Sequence, residues 1–344
     1  MCFVPTSVLS GASSGTPGPI DGLRRRRPEP MFAEKITPYY RNLIDHDGPD
    51  GPLARMVRHS ELERRVRPEE RTDPIGDGRW QRGANGRLIH HYPGRALLLV
   101  TDRCAAHCRF CFRRDRLSRF SSDLTPEELA AACAYLAAHG EIHEVILSGG
   151  DPLSLADETL TAVIGAVRKA GARSVRLHTR YPVYDPVRCE SFGPVAAQLD
   201  TIVVHVNHRL EITAEFLRAA AALRRARFLL NQSVLLKGVN DSEEELAGLS
   251  LALGEAGILP YYLHYPDLAP GISHFRIPLE AAIGLSRALS GRLPGYLIPR
   301  LILDIPGGKG KIPLAGQEGR KGDDGAYLFT APLTGETVTY REAL

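Results

Sequence analysis

From about residue 95 onward, short apolar runs alternate with longer stretches of helical periodicity. Runs at 95–101, 144–148, 174–179, 201–206, 228–234, 260–264 and 301–305 read as strands. Helical patterns fall between them, near 125–139, 157–171, 212–225, 242–256 and 278–290. The first of these helices carries clear start signals. Thr125 is the N-cap, Pro126 takes the first helical position, and Glu127 and Glu128 fill the first turn. Asp241-Ser-Glu-Glu-Glu places acidic residues at a later helix start in the same way. About six β–α repeats predict parallel strands with helices packed outside them. The expected fold is therefore α/β, a partial or full (β/α) barrel, with its chemistry at the C-terminal ends of the strands.

The remaining segments are assigned by composition. Residues 1–30 are rich in Gly, Pro, Ser and Arg and read as a disordered leader. Residues 31–94 read as a helical N-terminal region ending in loops, 95–315 as the barrel, and 316–344 as a short C-terminal tail. The chain has 344 residues, 43% of them hydrophobic, which is enough for a sizeable core. Its net charge of +3 is too small to argue for nucleic acid, and Arg24–Arg27 read as a solvated tail. No apolar run reaches the roughly 18 residues of a membrane span. The first residues lack the basic and apolar regions of a signal peptide. Six cysteines, three of them clustered, do not form a disulfide framework. Together these features predict a cytoplasmic protein in a reducing compartment. Cys2, Cys133 and Cys189 read as ordinary thiols.

The clustered cysteines are Cys104, Cys108 and Cys111, spaced C-x3-C-x2-C directly after the first strand. Three thiolates on one short loop suit three corners of a [4Fe–4S] cube and leave the fourth iron open. The competing readings are buried thiols or a zinc site with His107 as fourth ligand. The chain lacks the second cysteine pair that usually completes such a zinc site. Phe112 would shield a cluster from water. Ser148-Gly-Gly-Asp151 ends the next strand, and its glycines allow a ligand to approach the backbone closely. His205 alternates with Val204 and Val206 and so faces the opposite way, toward a barrel lumen, whereas His208 reads as a loop residue. Gln232 lies within an apolar strand, where an amide needs a partner. Finally, Lys309 and Lys311 sit in a glycine-rich turn. They are either solvated or candidates for a covalent link to pyridoxal phosphate.

Taken together, these motifs resemble the lysine 2,3-aminomutase family of radical S-adenosylmethionine enzymes. The resemblance runs from about Ile36 to Leu314. It is carried by Thr101-Asp-Arg-Cys-Ala-Ala-His-Cys-Arg-Phe-Cys-Phe-Arg-Arg114, Ser148–Asp151, His205-Val-Asn-His208, Gln232-Ser-Val-Leu-Leu-Lys-Gly-Val-Asn-Asp241, Tyr261-Tyr-Leu-His264, Ser273-His-Phe-Arg276 and Pro306–Leu314. It implies a radical S-adenosylmethionine barrel in which Cys104, Cys108 and Cys111 ligate the cluster and S-adenosylmethionine occupies the open iron. Ser148, Gly149, Gly150, Asp151 and His205 would lie along that cofactor. Lys311 would carry pyridoxal phosphate, with Lys309 the competing lysine. Gln232 and Arg95 would hold its phosphate, with His91 where the family often has a basic residue. Arg113 would bind the substrate carboxylate. Asp267 and Asp304 would receive a distal ammonium, since a buried charge needs a partner.

The implied reaction is conversion of L-lysine to β-lysine by migration of the α-amino group to C3. Relatives acting on arginine, ornithine or glutamate are the alternatives within the class. The resemblance also implies a homo-oligomer and a reductant protein such as flavodoxin or ferredoxin. The chain has no cysteine after Cys189 and ends soon after the lysine motif. In this it resembles the shorter branch that makes β-lysine for translation elongation factor P. Outside the class, the alternative is a non-catalytic iron–sulfur or zinc binding protein.

Overall fold

The computed structural model describes residues 32–314, 320–322, 324–331 and 334–344. The leader, with Cys2 and Arg24–Arg27, lies outside the described residues.

Ten strands form one sheet in chain order. They are β1 (Gln81–Arg82), β2 (Leu88–Tyr92), β3 (Arg95–Thr101), β4 (Glu144–Gly149) and β5 (Ser174–Thr179), followed by β6 (Thr201–Val204), β7 (Phe228–Val234), β8 (Leu259–His264), β9 (Arg300–Asp304) and β10 (Lys311–Pro313). From β3 to β9 every neighbouring pair is parallel. β1, β2 and β10 extend this set by antiparallel pairing.

Strand periodicity explains why the sheet encloses a site. Val145, Leu147, Val175, Leu177 and Leu263 are buried in the core. Their alternates on the same strands, Ile146 and Ser148, Arg176 and His178, Tyr262 and His264, line an inner cavity. The outward alternates pack beneath helices such as Pro126–Ala138, Asp157–Lys169 and Glu243–Glu255. The first of these has the expected start. The Thr125 hydroxyl accepts from the Glu128 amide, and the Glu128 carboxylate accepts from the Thr125 amide.

The two ends of the sheet come together. The Lys311 amide donates to the Tyr92 hydroxyl at 3.0 Å, and His91 Nε2 donates to the Gly308 carbonyl at 2.6 Å. The sheet is thus curled into an almost closed barrel.

Three regions differ from the sequence reading. Residues 31–94 contain the helices Pro38–Asp47 and Pro52–Val57, but they end in the β1–β2 hairpin rather than in loops alone. Residues after 315 include a three-stranded antiparallel sheet of Arg320–Lys321, Tyr327–Thr330 and Thr337–Tyr340. Between β5 and β6, where no helical pattern was read, lie three short helices, Tyr181–Tyr184, Pro186–Glu190 and Gly193–Ala196. Each has proline at its first or second position, which suits a helix start and forbids continuation of the preceding one.

Candidate active site

The loop leaving β3 carries Cys104, Cys108 and Cys111, and all three line the inner cavity. Burial raises all three thiols above their usual pKa, with Cys111 pushed up to about 12, and the neighbouring thiols add to the effect on Cys104 and Cys111. Free, they are therefore protonated, and loading iron must displace those protons. Among the described residues no three His, Cys, Asp or Glu side chains converge as a single metal ion requires. His107, the fourth ligand of the zinc alternative, is not among the residues that line the cavity with the three cysteines. His107 Nδ1 donates to the Ala33 carbonyl at 2.8 Å, and its ring stacks on Phe32.

Buried charge fixes the outer side of the loop. Arg109, between the second and third cysteines, is fully buried. It and Arg114 both bind Glu63, each with a 2.5 Å contact to the same carboxylate oxygen. The Arg109 amide donates to the Met56 carbonyl, so the Pro52–Val57 helix also braces the loop.

The exit of β4 packs directly against this loop. Gly149 has φ +125°, and a Cβ there would collide with the Thr101 carbonyl oxygen. A Cβ on Gly150 would collide with the Arg103 carbonyl oxygen. Both glycines are therefore required by backbone packing around the cysteine loop, and both also line the inner cavity. Gly149→Ala is expected to cost about 1–3 kcal/mol from overpacking alone, and more from the strained φ, read by chemical denaturation. Asp151 is likewise engaged within the protein. Its carboxylate accepts from the Thr179 hydroxyl at 2.8 Å and from the Arg180 amide at 2.7 Å. Burial lifts its pKa to about 6 against those hydrogen bonds. It ties the exits of β4 and β5 at the cavity wall.

His205 lies one residue beyond β6 and lines the cavity, 3.4 Å from His178 Nδ1. Burial and Arg180 hold it neutral, with a pKa near 3. His208 instead caps a short turn and meets Glu245 at 2.9 Å, the loop role expected of it. Two buried imidazole nitrogens on the wall, His178 Nε2 and His264 Nε2, have no hydrogen-bond partner. Such orphans mark positions for a bound group.

Lys311 opens β10 and points into the cavity, with Nζ 2.6 Å from both oxygens of Asp304. Lys309 points elsewhere and pairs with Glu336 at 3.0 Å. The two lysines are thereby separated: only Lys311 lines the cavity. Arg95 and Gln232 also line it, and neither forms an ion pair or side-chain hydrogen bond among the described residues. Arg95 rests over the Tyr92 ring at 3.9 Å. Tyr262, the register partner of Gln232, lies within electrostatic reach of Arg95. An unpaired guanidinium beside a free amide suits a phosphate. His91 is less available, because it donates to Gly308 and stacks on Trp80.

The carboxylates at the far side divide their roles. Asp304 is occupied by Lys311 and by His264 Nδ1 at 3.2 Å, and although burial opposes it, Lys311 drives its pKa far below the usual carboxylate range. Asp267 lines the same cavity without a side-chain hydrogen bond. Burial and the charge of Asp304 push its pKa up to about 8. Arg113 reaches the Ser148 hydroxyl at 3.3 Å and pairs with Asp77 at 3.0 Å. Asp77 and Tyr92 were not singled out from sequence, and His264 was quoted only as the end of a motif, yet each touches a residue that was given a role. Asp77 lies in a run of Pro, Gly and Asp that carries no periodicity, so only tertiary placement reveals it.

Comparison with known proteins shows the family of the chain. The model of the radical SAM superfamily matches residues 98–249. The chain is 37% identical to an L-lysine 2,3-aminomutase of Escherichia coli, over 85% of this chain and 86% of that protein. It is 36% identical to a putative L-lysine 2,3-aminomutase of Aquifex aeolicus, over 92% and 86% respectively. With the L-lysine 2,3-aminomutase of Clostridium subterminale the identity is 36%, over 81% of this chain and 68% of that protein. No helix among the described residues is long and apolar enough to cross a membrane.

Proposed function

Because the chain belongs to the L-lysine 2,3-aminomutase family of radical SAM isomerases, we propose that it converts L-lysine to β-lysine, moving the α-amino group to C3 with the help of pyridoxal phosphate. The observation that carries this reading is one cavity lined both by the three cysteines and by Lys311 with two carboxylates.

The donor sets fit the groups the reaction needs. Three thiols suit a [4Fe–4S] cluster with an open iron, and Lys311, Arg95 and Gln232 suit the aldehyde and phosphate of pyridoxal phosphate. When bound, the cluster and S-adenosylmethionine supply a hydrogen-abstracting radical, and pyridoxal phosphate supplies a covalent hold on the migrating nitrogen. The protein does the rest. Phe110 and Phe112 flank Cys111 at the cavity wall, where their rings would shield a cluster held by the thiols. Covalent use of Lys311 removes the ammonium that Asp304 now holds. Asp304 and Asp267 then both face the cavity as receptors for a distal ammonium. Arg113, oriented by Asp77 and Ser148, is placed to receive the substrate carboxylate.

The ammonium pocket has a specific test. Asp267→Asn should raise KM for lysine by the equivalent of about 2 kcal/mol or more, the cost of breaking a desolvated charge pair. The sign of the pH dependence follows from the raised pKa of Asp267. Its charged form, favoured as the pH rises toward 8, is the one that attracts an ammonium. The wild-type KM should fall over that rise, and Asp267→Asn should lose the dependence. A flat wild-type profile and an unchanged KM in the variant would remove the ammonium pocket from this account.

A further inference from the structure

A second cavity lies on the outer side of the cysteine loop, lined by Arg55, Arg58, Arg65, Arg67 and Lys237. None of these five forms an ion pair among the described residues. Arg55 alone uses its guanidinium in a hydrogen bond, to the Asp50 carbonyl at 3.0 Å. Asp50 is also the one acidic side chain in the lining. The buried arginines behind it are matched, Arg109 and Arg114 by Glu63 and Arg276 by Glu70. The lining thus gathers five cations that have no ion pair among the described residues. Leu62, in the lining, and Val66, between two of the arginines, are exposed apolar residues within it. Apolar side chains set among cations suit a protein surface better than a small anion.

The position of the cavity adds a function. Phe275 lines it and meets Phe110 edge-on, with ring centroids 6.3 Å apart. Phe110 lies between Cys108 and Cys111 and lines the inner cavity. One pair of aromatic rings thus separates the basic surface from the cysteine loop.

We propose that this basic cavity is the docking surface for an acidic one-electron carrier protein, which reduces the cluster across the Phe275–Phe110 pair. This rests on the radical SAM reading of the cysteines. One electron leaves the reduced carrier and enters the cluster, which passes from the 2+ to the 1+ state; no bond forms and no proton moves. Charge complementarity of this kind governs encounter and is weakened by salt.

The test compares the full-length, reconstituted wild type with the variant Arg65→Glu/Arg67→Glu/Lys237→Glu. All three positions are exposed and lie outside the catalytic cavity. Reduced flavodoxin serves as the acidic carrier and dithionite as the small reductant. Affinity for flavodoxin is measured by calorimetry at several salt concentrations, and cluster reduction by electron paramagnetic resonance. The variant should bind flavodoxin about tenfold more weakly or worse at low salt, with a flatter salt dependence. Its cluster should be reduced more slowly by flavodoxin and at the wild-type rate by dithionite. The milder variant Arg65→Gln/Arg67→Gln should fall between the two. Unchanged flavodoxin binding would overturn the proposal, as would an equal loss with dithionite. Tripolyphosphate binding to the wild type that is lost in the variant, with flavodoxin unaffected, would overturn it in favour of a small anion. Failure of the mutase reading shows separately, as absence of β-lysine under dithionite while flavodoxin binding still follows the patch.

Discussion

Lys311→Ala is expected to bind no pyridoxal phosphate covalently and to form no product, while Lys309→Ala keeps both properties. Sequence leaves the two lysines side by side in one glycine-rich turn, and strand pairing separates them. Lys311 is the first residue of β10, in register with Asp304 of β9, and its amide is fixed by the Tyr92 hydroxyl. Its Nζ is therefore delivered into the cavity. Lys309 lies before the strand and turns outward to Glu336. The effect of Lys311→Ala should reach complete loss of the long-wavelength absorbance of bound cofactor, because among the described residues no other lysine lines the cavity. The variant should be less stable than the wild type, since Asp304 loses its buried ion pair and keeps only His264 as a partner, so the absorbance is read on protein shown to be folded by circular dichroism. If Lys309→Ala abolished that absorbance and Lys311→Ala retained it, the assignment would be reversed.

Glu63→Ala should destabilise the protein by about 3–5 kcal/mol, the cost of leaving buried charge uncompensated. One carboxylate here serves two guanidiniums. Arg109 donates to it through Nε at 2.8 Å and Nη2 at 2.5 Å, and Arg114 donates through Nη2 at 2.5 Å. Burial alone would raise the Glu63 pKa, but the two arginines hold it below the usual range. A lowered carboxylate pKa stabilises the fold at neutral pH and loses that contribution as the pH falls through the folded value. Wild-type stability should therefore drop on acidification, and Glu63→Gln should be less acid-sensitive. Because Arg109 and Arg114 bracket Cys111, the variant should also retain less iron after reconstitution. Denaturation midpoints and iron content report the two effects independently. Wild-type stability together with full iron content would show that Glu63 does not brace the loop.

The parallel strands were legible because each pairs an apolar outward face with a helix that covers it. That pattern repeats from β3 to β9, and the predicted boundaries lie within two residues of those observed. The antiparallel additions were not legible. β1 has two residues, β2 reads Leu-Ile-His-His-Tyr, and β10 ends in Pro313, so none shows a sustained period. Their stability comes from pairing with the sheet, which no local pattern announces.

The site divides in the same manner. Residue types disclosed the thiols, the lysine and the paired acids. What they could not disclose was who holds whom in the folded chain. Asp304 reads as a receptor for substrate, and in this structure it holds Lys311 and His264. Gly149 and Gly150 read as room for a ligand, and in the fold they also make room for the carbonyls of Thr101 and Arg103, a packing role the residue types did not disclose. Asp77 gave no signal at all, although it is the ion-pair partner of Arg113.

Anaerobic turnover tests the central claim most directly. The reconstituted protein, supplied with S-adenosylmethionine, pyridoxal phosphate and dithionite, is given lysine, arginine, ornithine or glutamate in separate reactions, and β-amino acids are resolved by chromatography. This account predicts β-lysine from lysine, with the other three amino acids converted far more slowly or not at all. Preferential conversion of glutamate, or no β-amino acid from any of the four by an enzyme loaded with iron and pyridoxal phosphate, would contradict it.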